Sequence, residues 1–289
     1  MRTQEKLIYT NERGESIEFS PASSYHVNFK DVTGLSDVRN AIYSTNSMGQ
    51  DGDTYLGYRI ESRDIDIVGY IKERDKQAAQ NLRRKLNRIL NPQYEATLTY
   101  VFGDFRRVIG CKIDDAPIFK RKPIFEQFTV SLSCLNPFWR EETETREDIA
   151  TWIGGFEFPV PDGWEIGYRQ PSLIVNVYNS GDVKSGIRIE FRAIGAVTNP
   201  VLLNVDTREF IKLNISLVAG DVLTVSTGYG EKAVKLNRGG VITDAFRYLD
   251  VDSSYLQIAV GDNLFRYSAD ANAENLEVSI YHNNLYLGV

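Results

Sequence analysis

The hydrophobic pattern of this chain changes once, at Cys134-Leu135-Asn136-Pro137-Phe138-Trp139. Upstream, one amphipathic helix stands among strands. Downstream, from 172 to 289, β-branched and aromatic residues alternate and no stretch carries a helical stripe. Gly-Asp turns recur there at Gly181-Asp182, Gly220-Asp221 and Gly261-Asp262. A single switch of this kind predicts a mixed α+β domain followed by an all-β one. The 289 residues suffice for two domains with separate cores.

The spacing predicts a helix over 75–91. Ala78, Leu82, Leu86 and Leu90 recur every four residues, and Ala79 and Ile89 widen the stripe. Asp75 suits the N-cap, and Asn91-Pro92 ends the helix because the residue before proline avoids α geometry. Its outer face is basic, with Lys76, Arg83, Arg84, Lys85 and Arg88. Before it, 5–10 and 15–19 form a hairpin signal around Asn11-Glu12-Arg13-Gly14, and 25–30 alternates as a strand. Residues 36–53 are polar, with glycines near the end, and predict a long loop or arm ordered by a partner. Strand character returns at 55–70. After the helix, strands are expected at 95–102, 105–114 and 123–135, the last two separated by Pro117 to Lys122.

Residues 141–171 begin with a charged run, Glu141 to Asp148, and continue rich in Gly, Pro and Trp. They are expected to be a linker and entry strand between a domain over 1–140 and another over 172–289. In the latter, strands are expected near 172–178, 187–192, 201–205, 209–215, 222–227, 232–236, 255–260 and 276–287. That spacing suggests a β-sandwich or jelly roll.

The chemistry of a catalyst is hard to assemble from these residues. The two histidines, His26 and His282, lie far apart in sequence beside strands, where structural roles are commoner. Cys111 and Cys134 are the only cysteines, too few for a disulfide framework and unsuited by spacing to zinc, so both are expected to be small buried hydrophobes. A calcium loop beginning at Asp51 would need Gly and Glu where Leu56 and Ser62 stand. Gly228-Tyr229-Gly230 has no following helix and is expected to be a hairpin turn, not a phosphate loop. No cofactor or metal is expected. The net charge of −6 argues against a broad nucleic-acid-binding surface. No apolar segment of about 18 residues is present, and 1–9 lacks the apolar core of a signal peptide, so membrane insertion and export are not expected.

Two features could bind a partner. The basic helix face (Arg83, Arg84, Lys85, Arg88) could meet an acidic neighbour, against the plainer reading of a solvated surface. Trp152, Phe156, Phe158, Trp164 and Tyr168 could stack on sugar rings, against the plainer reading of a staple onto the second domain's core. Trp152, Trp164 and Tyr168 are the candidate glycan contacts, and Asn46 and Met48 join Arg83, Arg84 and Arg88 as candidate assembly contacts.

The run Asn81-Leu82-Arg83-Arg84-Lys85-Leu86-Asn87-Arg88-Ile89-Leu90-Asn91-Pro92, with Leu98-Thr99-Tyr100 after it, resembles a helix and strand of the distal tail protein family of long-tailed siphophages and prophages. Phe128 to Trp139 is similar to the family's strand ending in Pro-Phe. Asn179-Ser180-Gly181-Asp182, Thr198-Asn199-Pro200, Ala219-Gly220-Asp221-Val222-Leu223 and Gly261-Asp262-Asn263 resemble its later turns. The resemblance implies a mainly β chain with one principal helix. It implies a tail-tube-like β-sandwich in the N-terminal domain and a galectin-like sandwich in the C-terminal one. It further implies a non-enzymatic hexameric ring at the virion tail tip, assembled in the host cytoplasm, between the tail tube protein and a tail-associated hub protein. DNA would pass through its channel without specific binding, and receptor-binding or baseplate proteins would dock on the second domain. A carbohydrate-binding adsorption protein is the alternative.

Overall fold

A computed structural model describes residues 5–121, 125–149, 151–153, 168–170 and 174–289. The chain divides into two compact units. The first comprises Met1–Glu142 together with Tyr286–Val289, and the second Thr143–Leu285.

The first unit contains β1 (Glu5–Asn11), β2 (Ser16–Ser20), β3 (Tyr25–Thr33), β4 (Asn40–Thr45), β5 (Thr54–Ile60), β6 (Arg63–Ile71), α1 (Lys76–Ile89), β7 (Ala96–Phe102), β8 (Phe105–Arg121), β9 (Glu126–Cys134) and β10 (Trp139–Arg140). Hydrogen-bonded neighbours run β10, β8, β7, β1, β2, β3, β6, β9, and β8 pairs again with β9. The sandwich expected here thus takes the form of a sheet closed into a barrel. Alternation sets its inside: Leu7 and Tyr9, Ile17 and Phe19, Ile65 and Ile67, and Phe128, Val130 and Leu132 are all buried. Phe19, Tyr25 and Phe128 meet with ring centroids 5.8–6.3 Å apart.

The helix starts where the sequence predicts, since the Asp75 carboxylate accepts from the Ala78 N–H at 2.9 Å. Leu86 and Ile89 are buried in the barrel's core cluster. The barrel bonds two of the helix's carbonyls: Asn11 Nδ2 donates to Ile89 O at 3.2 Å, one of the end carbonyls without an intrahelical donor, and the Tyr25 hydroxyl donates to the mid-helix Leu82 O at 2.9 Å. Both cysteines are buried and free. Burial pushes the Cys134 thiol up to about 12 and raises that of Cys111 as well.

One strand departs from expectation. β8 continues through Pro117, where the sequence predicts a break. Its register with β9 jumps from Asp115↔Ser131 to Ile118↔Thr129. Pro117 therefore sits in a bulge, where its missing N–H costs no ladder hydrogen bond.

The second unit stacks two antiparallel sheets on one core. One sheet orders Thr145–Asp148, Leu276–His282, Ser185–Ala193, Val222–Ser226, Ala233–Arg238 and Val241–Asp244. The other orders Ile174–Asn179, Gly261–Ala271, Val197–Asn204 and Phe210–Lys212. Phe191, Ile189, Leu223 and Ile280 of the first share one buried cluster with Val177, Leu202, Phe265 and Tyr267 of the second. Gly261-Asp262-Asn263, read from sequence as a turn, opens the interior strand Gly261–Ala271. Asn263 turns inward, and its amide donates to Val177 O, Ala259 O and Gly261 O at 2.8–3.3 Å, so a polar residue opens a buried strand without an unpaired group. Within the segment expected to be a linker, Thr145–Asp148 pairs with Leu276–His282.

A pH dependence follows from Asp221, which is buried. Arg238 donates to both of its carboxylate oxygens at 2.6–3.1 Å, and Val218 N–H donates at 2.9 Å. The Arg238 bonds, helped by the Val218 amide, hold its pKa below the usual carboxylate range. A lowered folded-state pKa means that this stabilisation is full above about pH 4, the unfolded value, and is lost as pH falls through the folded one. Melting curves of the second unit should fall on acidification below about pH 4, and Asp221→Asn should flatten that part of the fall. An unchanged acid slope in the variant would assign the fall to other carboxylates.

Candidate assembly surface

Residues 36–53, expected to lack regular structure, instead supply one strand and the turn of a β-hairpin arm. β4 and β5 pair only with each other among the described residues. The register runs Asn40↔Ile60, Ile42↔Tyr58 and Tyr43↔Gly57, then shifts so that Ser44 faces Tyr55 and Leu56 is the extra residue. The polar residues order the turn. Ser44 Oγ and Asn46 Nδ2 donate to Asp53 at 3.0 and 3.4 Å, Ser47 N–H donates to Gln50 at 3.2 Å, and Gln50 Nε2 donates to Thr54 at 3.0 Å. These bonds close the arm locally, which a count of core-forming residues cannot reveal.

The arm exposes what a fold normally hides. Ile42, Tyr55, Leu56 and Tyr58 are 60–66 % exposed, Tyr43 is half exposed and Met48 fully so. Cross-strand pairing puts Ile42 and Tyr58 on one face, and alternation brings Ser44 and its partner Tyr55 to the same side. A two-stranded ribbon is marginal in water alone, and a contiguous apolar face on it marks a contact surface.

The arm's root is as well satisfied as its tip is bare. Arg63, the first residue of β6, is 3 % exposed. Its Nε donates to Pro137 O at 2.8 Å, and its Nη1 to Gly34 O and Leu35 O, each at 2.8 Å. Its Nη2 donates to Leu287 O. Burial lowers the Arg63 pKa, and nearby Cys134 and Asp37 partly offset this. Beside it, Trp139 Nε1 donates to Leu35 O at 3.0 Å and Ser36 Oγ to Val289 O at 2.8 Å.

The structure distributes the sequence candidates unevenly. Asn46 and Met48 lie in the arm's turn. Arg83 is engaged within the barrel, 3.1 Å from Glu126 and 4.6 Å above the Phe119 ring. Arg88 lies 3.0 Å from Glu15. Arg84 is exposed and makes no ion pair among the described residues. Trp152 and Tyr168 belong to short paired strands, Thr151–Ile153 and Tyr168–Gln170. Phe156, Phe158 and Trp164 lie outside the described residues. Ile42, Tyr43, Tyr55, Leu56 and Tyr58 are absent from the sequence candidates. Their signal is the pair of apolar stretches flanking a polar turn.

No group of His, Cys, Asp and Glu suited to a metal occurs among the described residues, and no helix there is long and apolar enough to cross a membrane. The two concavities of the first unit that border Gly34 and Asp37 hold about 110 and 260 Å³. Both fall below the ~300–1,000 Å³ of ordinary ligand sites.

A closed barrel bearing an apolar arm, fused to a sandwich, matches two family models in series. Residues 4–134 match the phage tail protein RIFT-related domain, and residues 180–286 the C-terminal domain of the siphovirus-type tail component. The chain is a phage tail component. It belongs to the siphophage distal tail protein family.

Solved structures share the fold along nearly the whole length. The crystal structure of Dit from phage SPP1, described as a paradigm of the hub adsorption apparatus in phages infecting Gram-positive hosts, superposes with a TM-score of 0.68 at 13 % identity, covering 96 % of this chain and 98 % of that one. The phage p2 baseplate in its activated conformation with Ca gives 0.55 at 11 % identity, covering 98 % of each chain. Its counterpart with Sr gives 0.50 at 11 %, with the same coverage. No curated protein matches the sequence. Family and fold together support a structural role in a tail-tip or baseplate hub.

Proposed function

We propose that six copies of this chain form a ring at the tail tip, which joins the tail tube to the tail-associated hub protein and leaves a channel for DNA. The arm carries this reading. Cyclic assembly uses heterologous contacts, so each copy must offer two different complementary patches. The Ile42, Tyr55 and Tyr58 face is one such patch, apolar and without a partner strand among the described residues. The exposed Arg84 side of α1 is a second surface available to a neighbour. The ring role is non-catalytic. The sandwich of the second unit, which we take to be galectin-like, would offer docking surface for receptor-binding or baseplate proteins. Assembly would occur in the host cytoplasm before the virion is complete.

Native mass spectrometry tests the reading. A species of six times 32.8 kDa is expected for the chain, alone or capped by its tail partners. Ile42→Asp with Tyr58→Asp should return the protein to monomers with unchanged melting temperature, because neither side chain contributes to a core. A double variant that assembles like the parent would remove the arm from the ring contact.

A further inference from the structure

Three stretches of chain distant in sequence converge on the arm's root. Gly34 to Ser36 lead into β4, and Arg63 stands three residues after the end of β5, so together they form both feet of the arm. Pro137 to Trp139 lead toward Glu142, where the chain leaves the first unit. Tyr286 to Val289 belong to the first unit again, after the whole second unit has intervened.

Arg63 bonds all three. Its guanidinium donates to carbonyls of Gly34, Leu35, Pro137 and Leu287 at a site almost closed to solvent. The returning segment also rests directly on the arm's foot. Ser36 Oγ donates to Val289 O, and a Cβ on Gly288 would stand 3.0 Å from Ser36 Cα and 3.2 Å from its Cβ. Val289, Leu35 and Tyr286 pack against the barrel's core cluster. Arg107 stacks 4.0 Å above the Tyr286 ring, and the Tyr286 hydroxyl donates to Glu141 at 2.9 Å. Withdrawing the tail would strip Leu287 O from a buried guanidinium and uncover the 34–36 backbone. Bonds to a buried charged donor are costly to leave unmade.

We infer that Arg63 is a positioning residue that couples the returning segment 286–289 to the arm, so that displacing this segment loosens the arm's root. The coupling lies within the first unit and does not depend on ring formation. Arginine suits the role because its planar fork can serve several carbonyls at once, whereas a lysine ammonium is a single point on a flexible stem.

Hydrogen exchange on the full chain tests this, with two variants. Gly288→Val crowds Ser36 and pushes the tail off it, leaving the arm's own sequence unchanged. Exchange should quicken by about tenfold in 286–289 and also in 33–40 and 60–63, while α1 amides keep the parent rate. Arg63→Lys should quicken the same segments without disturbing 286–289 by any steric route. Faster exchange confined to the tail in Gly288→Val would overturn the coupling. So would parent-like exchange at 33–40 in Arg63→Lys. If Gly288→Val leaves the tail itself at the parent rate, the packing of 286–289 on Ser36 is refuted.

Discussion

Leu86→Asp is expected to abolish the folded first unit while the second keeps its own melting transition. Leu86 is fully buried, on the last turn of α1, in the cluster that includes Ile89, Phe19, Tyr25 and Phe128. The substitution deletes a core side chain and places a carboxylate in an apolar cluster. Large-to-small replacement of a buried leucine alone costs about 2–5 kcal/mol. Burying an unpaired polar or charged group adds at least about 1–3 kcal/mol. A domain's whole stability is about 5–15 kcal/mol, so the sum is of the size of the total. The second unit has a separate cluster with no member from the first. Calorimetry should therefore show two transitions in the parent and one in the variant. Arg84→Asp on the same helix, exposed, should leave both within ±0.5 kcal/mol or so. Two intact transitions in Leu86→Asp would mean that the helix is an appendage and not part of the barrel core.

Gly34→Ala should cost more than about 3 kcal/mol, a large effect for one methyl group. Gly34 has φ +83°, a conformation costing other residues roughly 1–2 kcal/mol. Its added Cβ would also lie 2.0 Å from the carbonyl oxygen of Asp64 and 3.1 Å from Ile65 Cα. Those atoms are backbone of β6 and cannot rotate away, so the strand or the arm's foot must shift. Gly14 supplies the control. It has φ +77°, yet no atom stands within 4 Å of the equivalent Cβ. Gly14→Ala should show the backbone term alone, about 1–2 kcal/mol. Chemical denaturation of the two variants separates strain from collision, and equal losses would remove the collision.

Sequence periodicity revealed those parts of the fold that are local. The helix announced itself through a four-residue stripe and Asp75, and the first hairpin through Asn11 and Gly14, whose φ is +77°. The run around Asn81 to Pro92 and the ordered turns of the second half pointed to the family that the two domain matches support. Features that depend on distant partners stayed hidden. Pro117 looked like a strand end because its tolerance depends on a bulge opposite β9. Gly261-Asp262-Asn263 looked like a turn because only the tertiary partners of Asn263 make that residue suitable for the interior. In the arm, Asn46 and Met48 were singled out from the polar stretch 36–53, while Ile42 was passed over within that stretch and Tyr55 and Tyr58 were absorbed into the strand expected at 55–70. Arg83 and Arg88 looked available because Glu126 and Glu15, their partners, are remote in sequence. The contact between Arg63 and Leu287 has the same cause, a separation of 224 residues.

That last contact also fixes an order of events during synthesis. The ribosome releases residues 1–142 long before residue 286 exists, and every residue of the second unit is made in between. A nascent barrel therefore waits with Arg63 lacking one acceptor and the Leu35–Ser36 foot uncovered. Domains emerging early usually fold as soon as they clear the tunnel. This one gains the Leu287 carbonyl and the Val289 contact only after translation has passed residue 285, so prematurely terminated chains would carry an unfinished barrel.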